Sequence, residues 1–397
     1  MTESGRAAPG PAAAGQAAAG QAAAGQEAPE QEAARSSGDP LALPDLASRS
    51  LRGSVVAASD EFFADRENLI KPGAPDFTPA TFGHKGQVYD GWETRRKRGP
   101  GGALPGSGEH DWAVVRLGAP GVIRAVVVDT AFFTGNYPPL CAVDACRVTG
   151  YPAALAGPDQ DSGYWETADW TEIVPRSPLK GDSQHVFPVG GGGAGGGGAG
   201  AEQRFTHVRL RIYPDGGVAR LRVHGEVVPD PALLEGLTFD LAALENGGDI
   251  TACSDRFYSS PRNVISPGLS RVMGEGWETR RRREAGHEWL AVRLAGQARI
   301  ELIGIDTSGY IGNAPGAASV TGVDQGQSPW GVLLESTPLL PDTPHRFRLP
   351  APVTASQVRL NVFPDGGIAR LRVHGSLTPA GLAAVRRRWD ETGTTRS

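Results

Sequence analysis

Apolar and polar positions alternate most cleanly near the end of each half of this chain. In Val218-Ala219-Arg220-Leu221-Arg222-Val223-His224, Ala219, Leu221 and Val223 share one face, and Arg220, Arg222 and His224 share the other. That period of two predicts a half-buried β-strand. The Pro-Asp-Gly-Gly ahead of it, at 214–217, is a turn signal. Trp112–Leu117 and Val122–Asp129 crowd apolar and β-branched residues together, predicting further strands. Helical periodicity is scarce. Its main instance is LAAVRRRWDET, 382–392, which predicts a short helix with little to pack it.

The pattern occurs twice. PDLASRSLRGSVVAASDEFF (44–63) matches FDLAALENGGDITACSDRFY (239–258) without a gap. GWETRRKR (91–98) returns as GWETRRRR (276–283), HDWAVVRL (110–117) as HEWLAVRL (287–294), and YPDGGVARLRVHG (213–225) as FPDGGIARLRVHG (363–375). The offset falls from 195 residues at Asp45/Asp240 to 185 at Trp92/Trp277, 177 at His110/His287 and 150 at Tyr213/Phe363. All extra length in repeat 1 therefore falls between matched segments, as in a fixed scaffold with variable loops. The expected architecture is all-β: two tandem β-sandwich modules of the jelly-roll type, over 41–228 and 229–377. Residues 1–40, with AAAGQ repeated, are expected to be a disordered tail. GGGGAGGGGAG at 190–200 is expected to be a flexible insertion, and 378–397 a C-terminal tail.

Composition narrows the function. The 397 residues carry a formal net charge of −5, so the short basic runs do not make a nucleic-acid binder. No stretch approaches a membrane span, and the N-terminus lacks the pattern of a secretory signal. Cys141, Cys146 and Cys253 make no disulfide framework or zinc pattern; they suit a reducing, cytoplasmic setting and read as buried small apolar residues. No Gly-x-Ser-x-Gly elbow, phosphate-binding loop or dinucleotide fingerprint occurs.

The candidate chemistry lies in polar loops. If 92–97 is extended, Trp92, Thr94 and Arg96 share a face that Trp92 anchors, while Glu93, Arg95 and Lys97 share the other. An arginine fork suits a carboxylate, and a neighbouring glutamate suits proton transfer; a surface Glu–Arg pair is the plainer alternative. FGHKGQVYDGW (82–92) adds Lys85 on a glycine-rich loop that repeat 2 lacks. His110 and His287 each precede an acidic residue and a tryptophan, and His110 is a candidate proton-transfer group. DTAFFTGNYPP (129–139) offers Asp129, Asn136 and Tyr137 to a small polar ligand, or forms an ordinary turn. In repeat 2 the Tyr137 position is Ala314. His224 and His374 read as surface or interface residues.

With the further segments KGQVYDGWETRRKR, VVVDTAFFTGNYP and NLIKPG (68–73), the chain from about 41 to 376 resembles the allantoicase family. The resemblance implies two jelly-roll modules similar to galactose-binding-like domains. It also implies hydrolysis of allantoate to (S)-ureidoglycolate and urea in allantoin degradation, within purine catabolism. Carried onto this sequence, it makes Glu93, His110 and Lys85 the expected catalytic groups. Arg95, Asn136, Tyr137 and Asp129 become the expected substrate-binding groups, with Arg95 or Lys85 on the substrate carboxylate. Glu278, Arg280 and His287 are the second-repeat equivalents. The main site is expected in repeat 1, with repeat 2 as scaffold or interface in a homo-oligomer. The expected partner is a small molecule, not nucleic acid or membrane. Mn²⁺ could assist such a hydrolysis, but no convincing ligand set is visible. The same sandwich could instead be a carbohydrate-binding protein or a ureide-binding pseudoenzyme.

Overall fold

The computed structural model describes residues 39–148, 161–190, 202–324 and 329–393. The tail expected over 1–40, apart from its last two residues, and nearly all of the 190–200 insertion lie outside them. Each repeat forms an antiparallel sandwich organised by one long strand that serves both sheets. In module 1 this is the 19-residue strand Asp111–Asp129. Its first half pairs with Ser54–Ala58 on one side and Arg204–Tyr213 on the other. Leu140–Cys146 and Thr171–Pro178 continue that sheet. The pairing with Arg204–Tyr213 shifts register between Arg116 and Gly121. Beyond that point the second half pairs with Gln184–Pro188 and Arg220–Val227. Glu288–Asp306 does the same in module 2, between Asp249–Cys253, Pro344–Phe363 and Arg370–Leu377.

Long apolar runs follow from this layout, because a strand shared by two sheets is covered along its whole length. Val115, Val126 and Val128 are fully buried, as are Leu210, Ile212, Leu221 and Val223 from the facing strands. Cys141, Cys146 and Cys253 are buried and unbridged, as expected of small apolar fillers. Burial pushes the thiols of Cys141 and Cys146 up to about 12.

The 27 extra residues of repeat 1 that fall between His110 and Tyr213 enter at two places. The offset is still 177 at Asp129/Asp306, then 160 at His185/His345 and 150 at Tyr213/Phe363. The second step shows that Gln184–Pro188 and Arg204–Tyr213 correspond to the single strand Pro344–Phe363. The glycine-rich segment thus interrupts what is one continuous strand in module 2, rather than lengthening a loop at its end.

Two expectations need correction. The alternating strand buries Ala219, Leu221 and Val223, but its polar face is covered as well. Arg220 is 2% exposed and sends its guanidinium to the carbonyls of Gly73 and Asp90 and the carboxylate of Asp90. The loop between Lys71 and Asp90 lies over it, so that face is a buried polar layer. His224 is half-buried, its Nδ1–H donating to the Leu43 carbonyl. The C-terminal helix, Pro379–Gly393, is docked against both modules. Thr378 Oγ1 caps it by accepting from the Gly381 amide, with Pro379 at its first turn. Arg388 bonds Glu226 at 3.0 Å, and Trp389 lies 3.4 Å from the Arg204 guanidinium that stacks on it.

Candidate functional site

The duplicated Gly-Trp-Glu-Thr works as an anchor followed by a presented carboxylate. Trp92–Glu93 is a two-residue strand paired with Gly217–Val218. Trp92 is fully buried and donates its indole N–H to the Asp60 carbonyl at 2.7 Å. Thr94 is also buried; its hydroxyl accepts from the Gly216 amide at 3.2 Å. Glu93, between them, is half-buried, and its Oε1 accepts from Asn136 Nδ2 at 2.8 Å. Burial raises the Glu93 carboxyl above its ordinary value, and the Asn136 hydrogen bond offsets only part of this.

The Pro-Asp-Gly-Gly turn makes this approach possible. Gly216 sits at φ +140°, open to glycine at little cost. A Cβ on Gly217 would lie 2.0 Å from the Phe133 ring. Because both are glycines, the 130–138 loop closes on the turn, and the Gly217 amide donates to the Asn136 carbonyl at 2.7 Å. Asp215 accepts from the Lys97 amide at 2.7 Å, which steers the basic run away from the sheet. The extended face expected over 92–97 therefore ends at Thr94: Arg96 is exposed, not aligned with buried Trp92.

Arg95 is held by Asp60, whose Oδ2 accepts from Nε at 2.6 Å and whose Oδ1 accepts from the Arg95 amide at 3.1 Å. Burial pushes the Asp60 carboxyl up, but hydrogen bonds from the Phe62 amide and from Arg95 outweigh it and hold the group below the usual carboxylate range. Among the described residues only Nε of the guanidinium is hydrogen-bonded, and the Arg95 side chain is 67% exposed, so its outer edge faces solvent. Lys85 occupies the tip of a tight hairpin, Phe82–Gly83 against Gly86–Gln87. Its Nζ lies 4.9 Å from the centre of the Phe62 ring, and the Arg95 guanidinium lies 5.6 Å from the same centre. Two cations thus share one aromatic platform. Asp60 and Phe62 were not among the expected site residues. Both lie in the gap-free match of the two repeats, where Ser-Asp-x-Phe recurs at 59–62 and 254–257.

The other expected residues divide. His110 donates Nδ1–H to the Gly108 carbonyl at 3.0 Å, and its ring lies 5.2 Å from that of Tyr213. A carbonyl only accepts, so this tautomer leaves the Nε2 lone pair available. Among the described residues no hydrogen bond joins His110 to Glu93. They are connected through the basic run, since Lys97 Nζ bonds Asp111 at 2.9 Å. Tyr137 is half-buried, with its ring over Gly181. Asp129 does not present itself to a ligand. It is 3% exposed, with Oδ1 accepting from the Ala131 amide and Oδ2 from Gln184, so it closes the turn after its strand. Among the described residues, no group of three or more His, Cys, Asp or Glu side chains could hold a metal ion.

Module 2 repeats the constellation. Glu278 Oε1 accepts from Asn313 Nδ2 at 2.8 Å, and Asp255 Oδ2 accepts from Arg280 Nε at 2.8 Å. The Arg280 guanidinium lies 5.5 Å from the Phe257 ring centre. The loop carrying Asn313, although changed in sequence, places its amide as module 1 does. A cavity of about 610 Å³ lies between the modules, but its Arg49 and Arg271 are already paired with Glu67 and Glu275.

The sequence profile described as the allantoicase repeat matches residues 44–228 and 239–378. A probable allantoicase of Nocardia farcinica is 53% identical over 337 residues, 84% of this chain and 94% of its own. The allantoicase of Dictyostelium discoideum is 38% identical over 350 residues, 84% and 87% of the respective chains. The crystal structure of allantoicase from Saccharomyces cerevisiae superposes with a TM-score of 0.67 at 34% identity, covering 84% of this chain and 93% of that one. With both repeats matched and the match running through nearly the whole length of these relatives, the chain belongs to the allantoicase family.

Proposed function

We propose that this member of the allantoicase family hydrolyses allantoate to (S)-ureidoglycolate and urea at the Glu93 site of module 1. The observation that carries the placement is the half-buried Glu93, tied to Asn136 beside the Lys85–Phe62–Arg95 platform. Allantoate has one carbon bearing a carboxylate and two ureido groups. Arg95 and Lys85 would hold the carboxylate, the guanidinium through its free outer edge. Glu93, whose carboxyl burial raises above its ordinary value, would donate its proton to the departing ureido nitrogen. Asn136 fixes the orientation of Glu93, and Asn136 and Tyr137 would bind ureido oxygens and N–H groups. His110 Nε2 is the candidate acceptor for a water proton. One C–N bond breaks, one C–O bond forms, and urea leaves.

A cytoplasmic location is supported by the three unbridged cysteines, and no helix among the described residues is long and apolar enough to cross a membrane. A homo-oligomer is supported by the exposed apolar side chains Leu269, Val272 and Ile311 on module 2, and light scattering would test it. For the reaction, the test is to incubate the full chain and its Glu93→Gln variant with allantoate and quantify urea and ureidoglycolate. Equal amounts of both from the parent chain, with turnover lost in the folded variant, are expected. Full turnover by the variant would overturn the placement of the site.

A further inference from the structure

The second module repeats the Glu–Asn and Arg–Asp pairs of this site, with Glu278 and His287 at the positions of Glu93 and His110, but it lacks counterparts of Lys85 and Tyr137. The Glu278–Asn313 bond has the length of Glu93–Asn136, and the Arg280–Asp255 and Trp277–Asp255 bonds follow those of Arg95 and Trp92. Fold stability does not account for all of this. The Arg280 side chain is 65% exposed, and a surface ion pair contributes only about 0–1 kcal/mol. Phe257 beneath it is 64% exposed and so buries little apolar area. The surrounding loops have diverged: the Lys85 hairpin has no counterpart, and Ala314 replaces Tyr137. What persists between the repeats is an exposed guanidinium and aromatic ring beside a half-buried carboxylate and amide.

His287 differs from His110 in a way that bears on catalysis. Its Nε2 lies 3.2 Å from Asn361 Oδ1, while Asn361 Nδ2 donates to Ser319. His287 Nε2 is thus tied to the Asn361 amide, whereas among the described residues His110 bonds only through Nδ1, to the Gly108 carbonyl. Asn361 occupies the place of Arg211 in module 1, whose guanidinium goes to Asp144 and the Tyr213 hydroxyl instead.

We propose that module 2 carries a second binding site, for a small carboxylate bearing a ureido group, which it recognises without hydrolysing. This rests on the module 1 reading, in which Arg95 takes the substrate carboxylate and Asn136 a ureido group. The outer edge of Arg280 takes the carboxylate. The free oxygen of Glu278 and the amide of Asn313 take the ureido N–H and C=O groups.

The test uses ureidoacetate, which has one carboxylate and one ureido group and lacks the second ureido group that departs from allantoate. Isothermal titration of the full chain should find two molecules per chain. Arg280→Ala should leave one, and so should Arg95→Ala; Asn313→Ala, read alongside thermal unfolding, provides a second lesion in module 2. One molecule per chain, abolished by Arg95→Ala and untouched by Arg280→Ala and Asn313→Ala, would overturn the second site while leaving the module 1 reading intact. Binding abolished by Arg280→Ala but untouched by Arg95→Ala would support the second site and remove Arg95 from the first. Absence of binding at millimolar ureidoacetate, in a preparation that releases urea from allantoate, would overturn the proposal.

Discussion

Asp60→Asn separates a fold contact from a recognition contact. The replacement keeps an oxygen for the amides of Phe62 and Arg95, which donate to Oδ1 at 2.8 and 3.1 Å. It loses the 2.6 Å bond from Arg95 Nε to Oδ2 and points an amide N–H at the guanidinium. With the Arg95 side chain 67% exposed, the lost ion pair is discounted for solvent and contributes about 0.2–1 kcal/mol. The midpoint of thermal unfolding should therefore fall by only a few degrees, roughly 2–4 °C per kcal/mol for a domain of this size. Recognition should suffer more. A hydrogen bond to a charged partner contributes about 1.5–3 kcal/mol, so an Arg95 swung off its platform should lower kcat/KM about ten- to a hundredfold. Most of the loss should appear in KM, since the carboxylate is bound in ground state and transition state alike. Initial rates of urea release across allantoate concentrations, beside thermal unfolding of the same samples, provide both numbers. A lowered midpoint with unchanged KM would refute the reasoning, because Asp60 would then be pinning a loop and nothing else.

Asn136→Ala removes the hydrogen bond that lowers the Glu93 carboxyl against its burial, so that carboxyl should titrate at higher pH and the alkaline limb of the pH–rate profile should move up. The stability sign follows from the same shift: a raised folded-state value adds stability present below the unfolded-state value and lost as pH rises through the folded one, and denaturant unfolding across pH would show it. Asp90→Asn leaves the buried Arg220 without its carboxylate and should cost about 3–5 kcal/mol, read by chemical denaturation. Although burial pushes Asp90 up, Lys71 and Arg220 hold it below its ordinary value; its contribution should be present above the unfolded-state value and lost as pH falls through the folded one, so the variant should flatten the acid limb of the stability curve. Gly217→Ala drives a methyl group into Phe133 and should destabilise by about 1–3 kcal/mol while lowering turnover, because Asn136 is displaced from Glu93. Normal stability with normal turnover would show that the turn accommodates the methyl group.

The two sandwiches, their order and their buried strand faces follow from the sequence because they depend on local periodicity and on self-similarity. Leu221 and Val223 face the core because successive strand side chains point to opposite faces, and the second copy repeats this at Leu371 and Val373. The Pro-Asp-Gly-Gly turn was equally legible, since Gly216 needs a positive φ that glycine adopts readily. Part of the candidate site was readable for the same reason: Glu93, Arg95 and Asn136 stand out in duplicated segments. Their partners depended on tertiary structure. Asp60 is 35 residues before Arg95 and Asn136 is 43 after Glu93, and no local rule brings such distant groups within hydrogen-bond reach. Packing also decided that Asp129 closes a turn and that Arg220 is buried beneath a loop. It also engaged opposite ring nitrogens of the two histidines, Nδ1 of His110 with the Gly108 carbonyl and Nε2 of His287 with Asn361, because the groups set beside each ring come from different strands and loops.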